Sequence, residues 1–191
     1  MRSTIDDFKK FKRTGQPFAC LTAYDYPTAL IADKVGIPLL LVGDSLASVI
    51  LGYENTSTVT MEEMLHHVKP VVRGSNHALV VADLPFLSYG ITDGETLRNA
   101  GRMLQEGGAH AVKIEGGQEG CSTVHLITES GIPVMGHIGF TPQTASISAN
   151  PKSDTSSEET MTILMQDAVS YTHLRAHETR HDLVCRLLLE K

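Results

Sequence analysis

Cysteine is scarce: only Cys20, Cys121 and Cys185 occur in 191 residues. Three widely spaced thiols make no disulfide framework, so a reduced, cytoplasmic setting is the expectation. Positive charge is thin as well. Sixteen Lys and Arg face 22 Asp and Glu, a formal net charge of -6, and the basic residues form no long run. That argues against a nucleic-acid partner, which needs a concentrated positive face. No stretch approaches the roughly 18 apolar residues of a membrane span. The opening MRSTIDDFKKFKR has no apolar core of the kind a secretory signal carries. What remains is ordinary for a soluble globular chain, 41% hydrophobic and 20% charged. One domain with a real core fits the length, although a closed (β/α)₈ barrel typically takes roughly 250 residues.

The chain alternates between two kinds of segment. Thr4 to Arg13 carries Ile5, Phe8 and Phe11 on one side, with Ser3 or Thr4 as N-cap and Asp6 and Asp7 in the first turn, and predicts a short amphipathic helix. Apolar runs then follow at Phe18–Tyr24, Leu39–Val42, Ala78–Ala82, Ala111–Ile114 and Ile132–Gly136. Between them lie helical patterns at Tyr26–Val35, from the capping box Thr60-Met61-Glu62-Glu63 to about Val72, at Asp93–Gln105 and at Cys121–Glu129. Pro70 is expected to kink or shorten the second of these. Gly36-Ile37-Pro38 and Gly131-Ile132-Pro133 punctuate two helix-to-strand turns in the same way. Apolar runs with little polar alternation predict strands buried on both faces, hence a parallel sheet. Five βα units of this kind leave a doubly wound sheet or a barrel.

Polar residues at the strand ends favour the barrel. Asp25, Asp44, Asp83, Glu115 and His137 each follow directly on a strand run. A barrel converges such ends on one mouth, whereas an open sheet spreads them across its width. The first strand is followed by no G-x-G-x-x-G, which removes the main support for a dinucleotide fold. Asp44, Asp83 and Glu115 would then be three carboxylates at one mouth, repelling one another unless a cation or protons intervene. An all-oxygen set suits a hard ion such as Mg²⁺. Lys113, two residues before Glu115, shares its face of the strand and could take a substrate carboxylate. Ser45 could donate a hydrogen bond, and His137 could donate or shuttle a proton. Each acid alone is as readily the N-cap of the next helix, and Lys113 could simply pair with Glu115. Three caps by chance is the less economical account. His66-His67 reads as helix surface, and Gly116-Gly117 as a tight turn.

The blocks LTAYDYPTA, LLLVGDSLASVILGYENT, VTMEEMLHHVKPVVRG, VVADLPFLSY, AVKIEGG and GHIGFTPQ, in this order, resemble ketopantoate hydroxymethyltransferases from about Ile5 to Thr144. The resemblance implies a (β/α)₈ barrel, incomplete here, and Mg²⁺. It also implies transfer of a hydroxymethyl group from 5,10-methylenetetrahydrofolate to 3-methyl-2-oxobutanoate, a step of pantothenate biosynthesis. The family's metal motifs match at Asp44, Asp83 and Glu115, and its substrate-binding positions at Ser45, Asp83 and Lys113, with His137 close by. The family's general base lies beyond the matched region, and no residue here takes over that role. The intact family is expected to form homo-oligomers. Two rival readings are a related Mg²⁺-dependent C–C lyase of 2-oxo acids and a non-catalytic oligomerisation module.

The resemblance departs after Gln143, where SISANPKSDTSSEET reads as a loop, and returns briefly at Met161–Ala168. Residues 1–168 are thus expected to form a partial barrel, too incomplete for turnover. Val169–Lys191 resembles a translated sequencing-library adapter and is expected to be a non-native tail. Its His173, His177 and His181 fall at i, i+4, i+8, but a zinc site needs further ligands and support, so an ordinary amphipathic helix is expected.

Overall fold

In four of the strands the odd-numbered and even-numbered residues go to different hydrophobic clusters, and this alternation organises the molecule. The structure, a computed structural model, describes residues 1–145, 158–173 and 182–183. Strands β1 (Cys20–Thr22), β2 (Leu39–Val42), β3 (Leu79–Asp83), β4 (Ala111–Glu115) and β5 (Val134–His137) pair in parallel in sequence order. A two-residue strand, β6 (Asp182–Leu183), adds to β5. Leu39, Leu41, Leu79, Val81, Ala111 and Met135 face one way and cluster with Phe8. Leu40, Val42, Val80, Ala82, Val112, Ile114 and Val134 face the other way, into the helical layer. Both faces are covered, so the runs are apolar throughout, as a parallel sheet requires. The architecture is the expected α/β barrel in part, with five βα units.

Helix α1 (Ile5–Thr14) starts on a capping box in which Thr4 and Asp7 bond reciprocally, and stops at Gly15 in the left-handed conformation. Its Phe8 is buried against the N-terminal half of the inner face. Helices α2 (Tyr26–Lys34), α3 (Leu46–Val49), α4 (Met61–Gly74), α5 (Asp93–Gln105) and α6 (Cys121–Glu129) make the connections, together with a 3₁₀ turn at Thr56–Thr58. Two further helices follow, the short α7 (Pro142–Ala145) and the longer α8 (Glu158–His173). Asp25 is the N-cap of α2, accepting the Thr28 N–H, so at that strand end the capping reading holds. The two Gly-Ile-Pro turns are alike in structure too. Gly36 and Gly131 sit at φ 86° and 87°, and the following Ile37 and Ile132 donate back to Ala32 and Ile127. That is the Schellman closure, in which only glycine takes the left-handed position without strain.

Two expectations change. Helix α4 is not shortened by Pro70 but runs on to Gly74. The bond Pro70 forgoes would go to the carbonyl of His66, an exposed residue that water can satisfy. Strand β1 keeps only three of the seven residues predicted, and all three are exposed. Among the described residues it pairs on one side only, with β2. The boundary expected after Ala168 falls inside α8, whose Tyr171 is buried in the outer cluster. Most of the loop after Ala145, and His177, His181 and Cys185, lie outside the described residues. No helix among the described residues is long and apolar enough to cross a membrane.

One buried ion holds the N-terminal side of the sheet. Asp33 of α2 accepts the backbone N–H groups of Asn76, His77 and Ala78 and pairs with the His77 ring. Burial would raise its pKa, but the Ala78, Asn76 and His77 donors outweigh that and hold it at about 2, below the ordinary 3.8. His110, whose Nδ1 accepts the Val80 N–H, is pushed down to about 4, from 6.5, by burial and by Arg2. Both groups bind fewer protons folded than unfolded, so their stability is present at neutral pH and lost as pH falls. Their two contributions to stability are lost in two stages. The first lies between about pH 6.5 and 4, from His110, and the second between about pH 4 and 2, from Asp33. Asp33→Asn should flatten the second stage in a series of thermal melts. An unchanged profile would show that the acid limb originates elsewhere.

Candidate active site

The inner file that begins with leucine and valine ends in charge. Asp83 continues Leu79 and Val81, Lys113 and Glu115 continue Ala111, and His137 continues Met135. Register sets them side by side, Asp83 opposite Lys113 and Glu115 opposite His137. Asp44 arrives just after β2, in the turn that opens α3. The apolar half of the file is closed by α1, so the polar half forms the floor of the mouth.

Five of the six expected residues form one connected set. Lys113 Nζ donates to Asp83 Oδ2 at 2.8 Å and stands 3.9 Å from Glu115 Oε1. Asp44 joins through its backbone N–H, 3.1 Å from the same Asp83 Oδ2. His137 Nδ1 lies 3.0 Å from Glu115 Oε1. Since a carboxylate only accepts, that nitrogen carries the proton. Asp44, Asp83, Lys113 and Glu115 are all buried. Ser45 is the exception: it is half-buried, and its Oγ pairs with the Tyr24 hydroxyl at 2.8 Å, on the rim of the set. His66 is exposed, and His67 Nδ1 bonds the Tyr24 carbonyl, as surface positions of α4.

Two residues that the sequence reading did not single out complete the site. Gln143, delivered by α7, donates from Nε2 to Asp44 Oδ2 at 2.8 Å and to the Leu84 carbonyl at 2.9 Å. Its backbone N–H donates to Glu115 Oε2 at 3.1 Å. The Tyr89 hydroxyl, 2.7 Å from Gln143 Oε1, accepts the Glu115 N–H. Gln143 closes the last matched block and Tyr89 closes the fourth. Only their places at the mouth ends of those blocks hinted at a role.

Charge does not balance in this set. One lysine faces three carboxylates, which leaves two negative charges when all are ionised and His137 is neutral. The strain shows at Asp44: burial first, then the charge of Asp83, push it up to about 7, against the pull of Gln143 and Lys113. Lys113 is held above its ordinary value, because Asp83, Glu115 and Asp44 together outweigh its burial. Asp83 Oδ1 is buried with no hydrogen-bond partner, which costs free energy unless something occupies it. A hard divalent cation would answer both the charge and the orphaned oxygen. Among the described residues no three His, Cys, Asp or Glu converge as a ready-made cage. Gln143 and Lys113 occupy the carboxylate oxygens instead, so the donor set fits such an ion by chemistry and not by finished geometry.

A raised carboxylate pKa costs stability as pH climbs through it. Asp44→Asn removes that charge while keeping an oxygen to accept from Gln143. The expected result is a metal-free chain more stable by about 2 kcal/mol at pH 8, with the gain shrinking below about pH 7 and vanishing near pH 4, the ordinary carboxylate value. Thermal melts at the two pH values check it, and a loss at pH 8 would contradict the repulsion described.

Residues 2–177 match the family described as ketopantoate hydroxymethyltransferase, past the point where the recognisable blocks end. The 3-methyl-2-oxobutanoate hydroxymethyltransferase of Dehalococcoides mccartyi is 54% identical over 168 residues, covering 88% of this chain and 60% of the relative. That of Carboxydothermus hydrogenoformans is 53% identical over 167 residues, covering 87% and 60%. The chain thus spans about 60% of the length of these relatives. Among solved structures, 2,3-dimethylmalate lyase, a PEP mutase/isocitrate lyase superfamily member, superposes with TM-score 0.59 at 15% identity, over 89% of this chain and 62% of that one. Phosphonopyruvate hydrolase in complex with oxalate and Mg²⁺ gives 0.64 at 10%, over 90% and 60%. At such identities these structures speak to the fold alone. With the relatives and the matched span taken together, the chain belongs to the ketopantoate hydroxymethyltransferase family.

Proposed function

We propose that Asp44, Asp83 and Glu115 form a Mg²⁺ site serving hydroxymethyl transfer from 5,10-methylenetetrahydrofolate to 3-methyl-2-oxobutanoate, giving 2-dehydropantoate. The observation that carries the reading is the buried acid cluster with a single lysine counter-ion, at the strand ends of a chain of this family. Mg²⁺ there would supply charge neutralisation and Lewis-acid polarisation of the 2-oxo acid. Lys113, buried and cationic, offers Nζ to the substrate carboxylate. Ser45 stands at the rim with a hydroxyl able to donate. His137, with Nδ1–H committed to Glu115, leaves Nε2 to accept or pass on a proton. No described residue is assigned as the base for the substrate C–H. A cytoplasmic setting and self-association of the intact protein belong to the same reading.

Calorimetric titration tests it. The 2-oxo acid should bind in Mg²⁺ and should not bind in EDTA, and 3-methylbutanoate, which lacks the 2-oxo group, should bind in neither. Equal binding of the 2-oxo acid with and without Mg²⁺ would refute the assignment.

A further inference from the structure

Gln143 is 1% exposed, and every polar atom of a glutamine buried so deeply must find a partner or lower the stability of the fold. The partners it finds are not a random selection. Its amide nitrogen reaches Asp44 beyond the end of β2 and the Leu84 carbonyl at the end of β3. Its backbone N–H reaches Glu115 at the end of β4, and its amide oxygen meets Tyr89 in the β3–α5 connection. One residue therefore ties three neighbouring strand ends together. It holds two of the three carboxylates by different groups, Asp44 by the side chain and Glu115 by the main chain. The segment that brings it is short, α7 being only Pro142–Ala145. A residue whose work was only to fill space there would be apolar, since its volume could be packed without four matched polar partners.

We propose that Gln143 is a positioning residue of the acid site: its amide aims Asp44 and its backbone N–H aims Glu115, so that cation affinity depends on α7 being seated. The inference rests on the Mg²⁺ reading above. It makes the connection after β5 part of the site, although that connection contributes no acid. Unseating α7 removes a donor from two carboxylates at once and lets them drift apart.

Gln143→Met is the variant to make in the full chain. It keeps the length and volume of the side chain and the backbone bond to Glu115, and removes only the amide. Titration of Mg²⁺ alone by calorimetry, well below the melting temperature, should show Kd at least tenfold weaker than wild type, with an unchanged circular-dichroism spectrum. Gln143→Ala should match or exceed that loss. Ile127→Val, buried between α6 and the sheet, serves as a variant that lowers stability away from the acids, and should leave Kd unchanged. Wild-type Kd in Gln143→Met overturns the proposal and leaves the Mg²⁺ reading standing. Equal weakening in Ile127→Val overturns it too, because affinity would then follow stability. A wild-type chain that binds no Mg²⁺ removes the metal reading, and the proposal with it.

Discussion

Asp83→Asn should abolish measurable Mg²⁺ binding, a loss of at least about 100-fold in affinity. Asp83 does two jobs at once. Oδ2 is committed to Lys113 Nζ and the Asp44 N–H, while Oδ1 is buried without a partner. An asparagine can satisfy the two donors only by turning its oxygen to them, which places its NH₂ where Oδ1 stood. The position then presents a donor to the cation, and the site loses one of its negative charges. Hard cations need anionic oxygen, and a misdirected amide both removes a ligand and repels. Lys113 aggravates the loss: held by the lone pair of a neutral amide, its charge is less compensated. Isothermal calorimetry on wild type and variant settles the matter. A Kd within tenfold of wild type would place the cation elsewhere, or nowhere. Folding is not expected to fail, since the variant removes like-charge repulsion from Asp44.

Much of this arrangement could be read from residue order. Helices α5 and α6 and strand β2 have the limits that their patterns predict, because each is bounded by a strong local signal. For α5 the signal is Thr92 accepting the Glu95 N–H; for α6 it is the Gly131 turn. The acids were legible because each follows directly on an apolar run buried on both faces, where a polar residue stands out. What escaped was non-local. Nothing in TPQT says that the glutamine turns inward, since its partners are Asp44, Leu84, Tyr89 and Glu115, between 28 and 99 positions away. Helix α3 and the 3₁₀ turn at Thr56–Thr58 are too short to set up a period. Strand β1 was overestimated because composition carries no information on whether an edge finds a neighbour. Gly116-Gly117 read as a tight turn, yet a Cβ at Gly117 would run into the Asp167 carboxylate, which accepts the Gln118 N–H. That glycine is a docking point for α8.

Tyr171→Ala should destabilise the chain by about 3–4 kcal/mol, and ending the chain at Ala168 should cost at least as much. In sequence this residue lies beyond the last recognisable block, in a segment expected to stand apart from the barrel. The structure ties it in at three points. The ring is 3% exposed and lies over Gly136 of β5, where a Cβ would overlap it. The hydroxyl donates to the Gly116 carbonyl at 2.8 Å. One turn earlier Asp167 anchors the same face of α8 at Gln118. Deleting the ring opens a cavity against a strand that has no side chain to collapse into it, which is the costly case for large-to-small changes. Tyr171→Phe keeps the packing and should cost only about 1 kcal/mol, the net worth of one hydrogen bond. In a chain of this size 3–4 kcal/mol corresponds to about 6–16 °C in melting temperature, well outside the error of a melt. Gly136→Ala should produce a loss of similar sign from the opposite partner, and the double variant Gly136→Ala, Tyr171→Ala should lose less than the two singles added together, because each relieves the other's clash. Chains ending at residues 168 and 173 make the decisive pair. If both melt within 1–2 °C of the full chain, by the same conversion, Tyr171 is not part of the core and the boundary after Ala168 stands. If only the shorter one fails, the folded unit reaches into α8 as far as Tyr171.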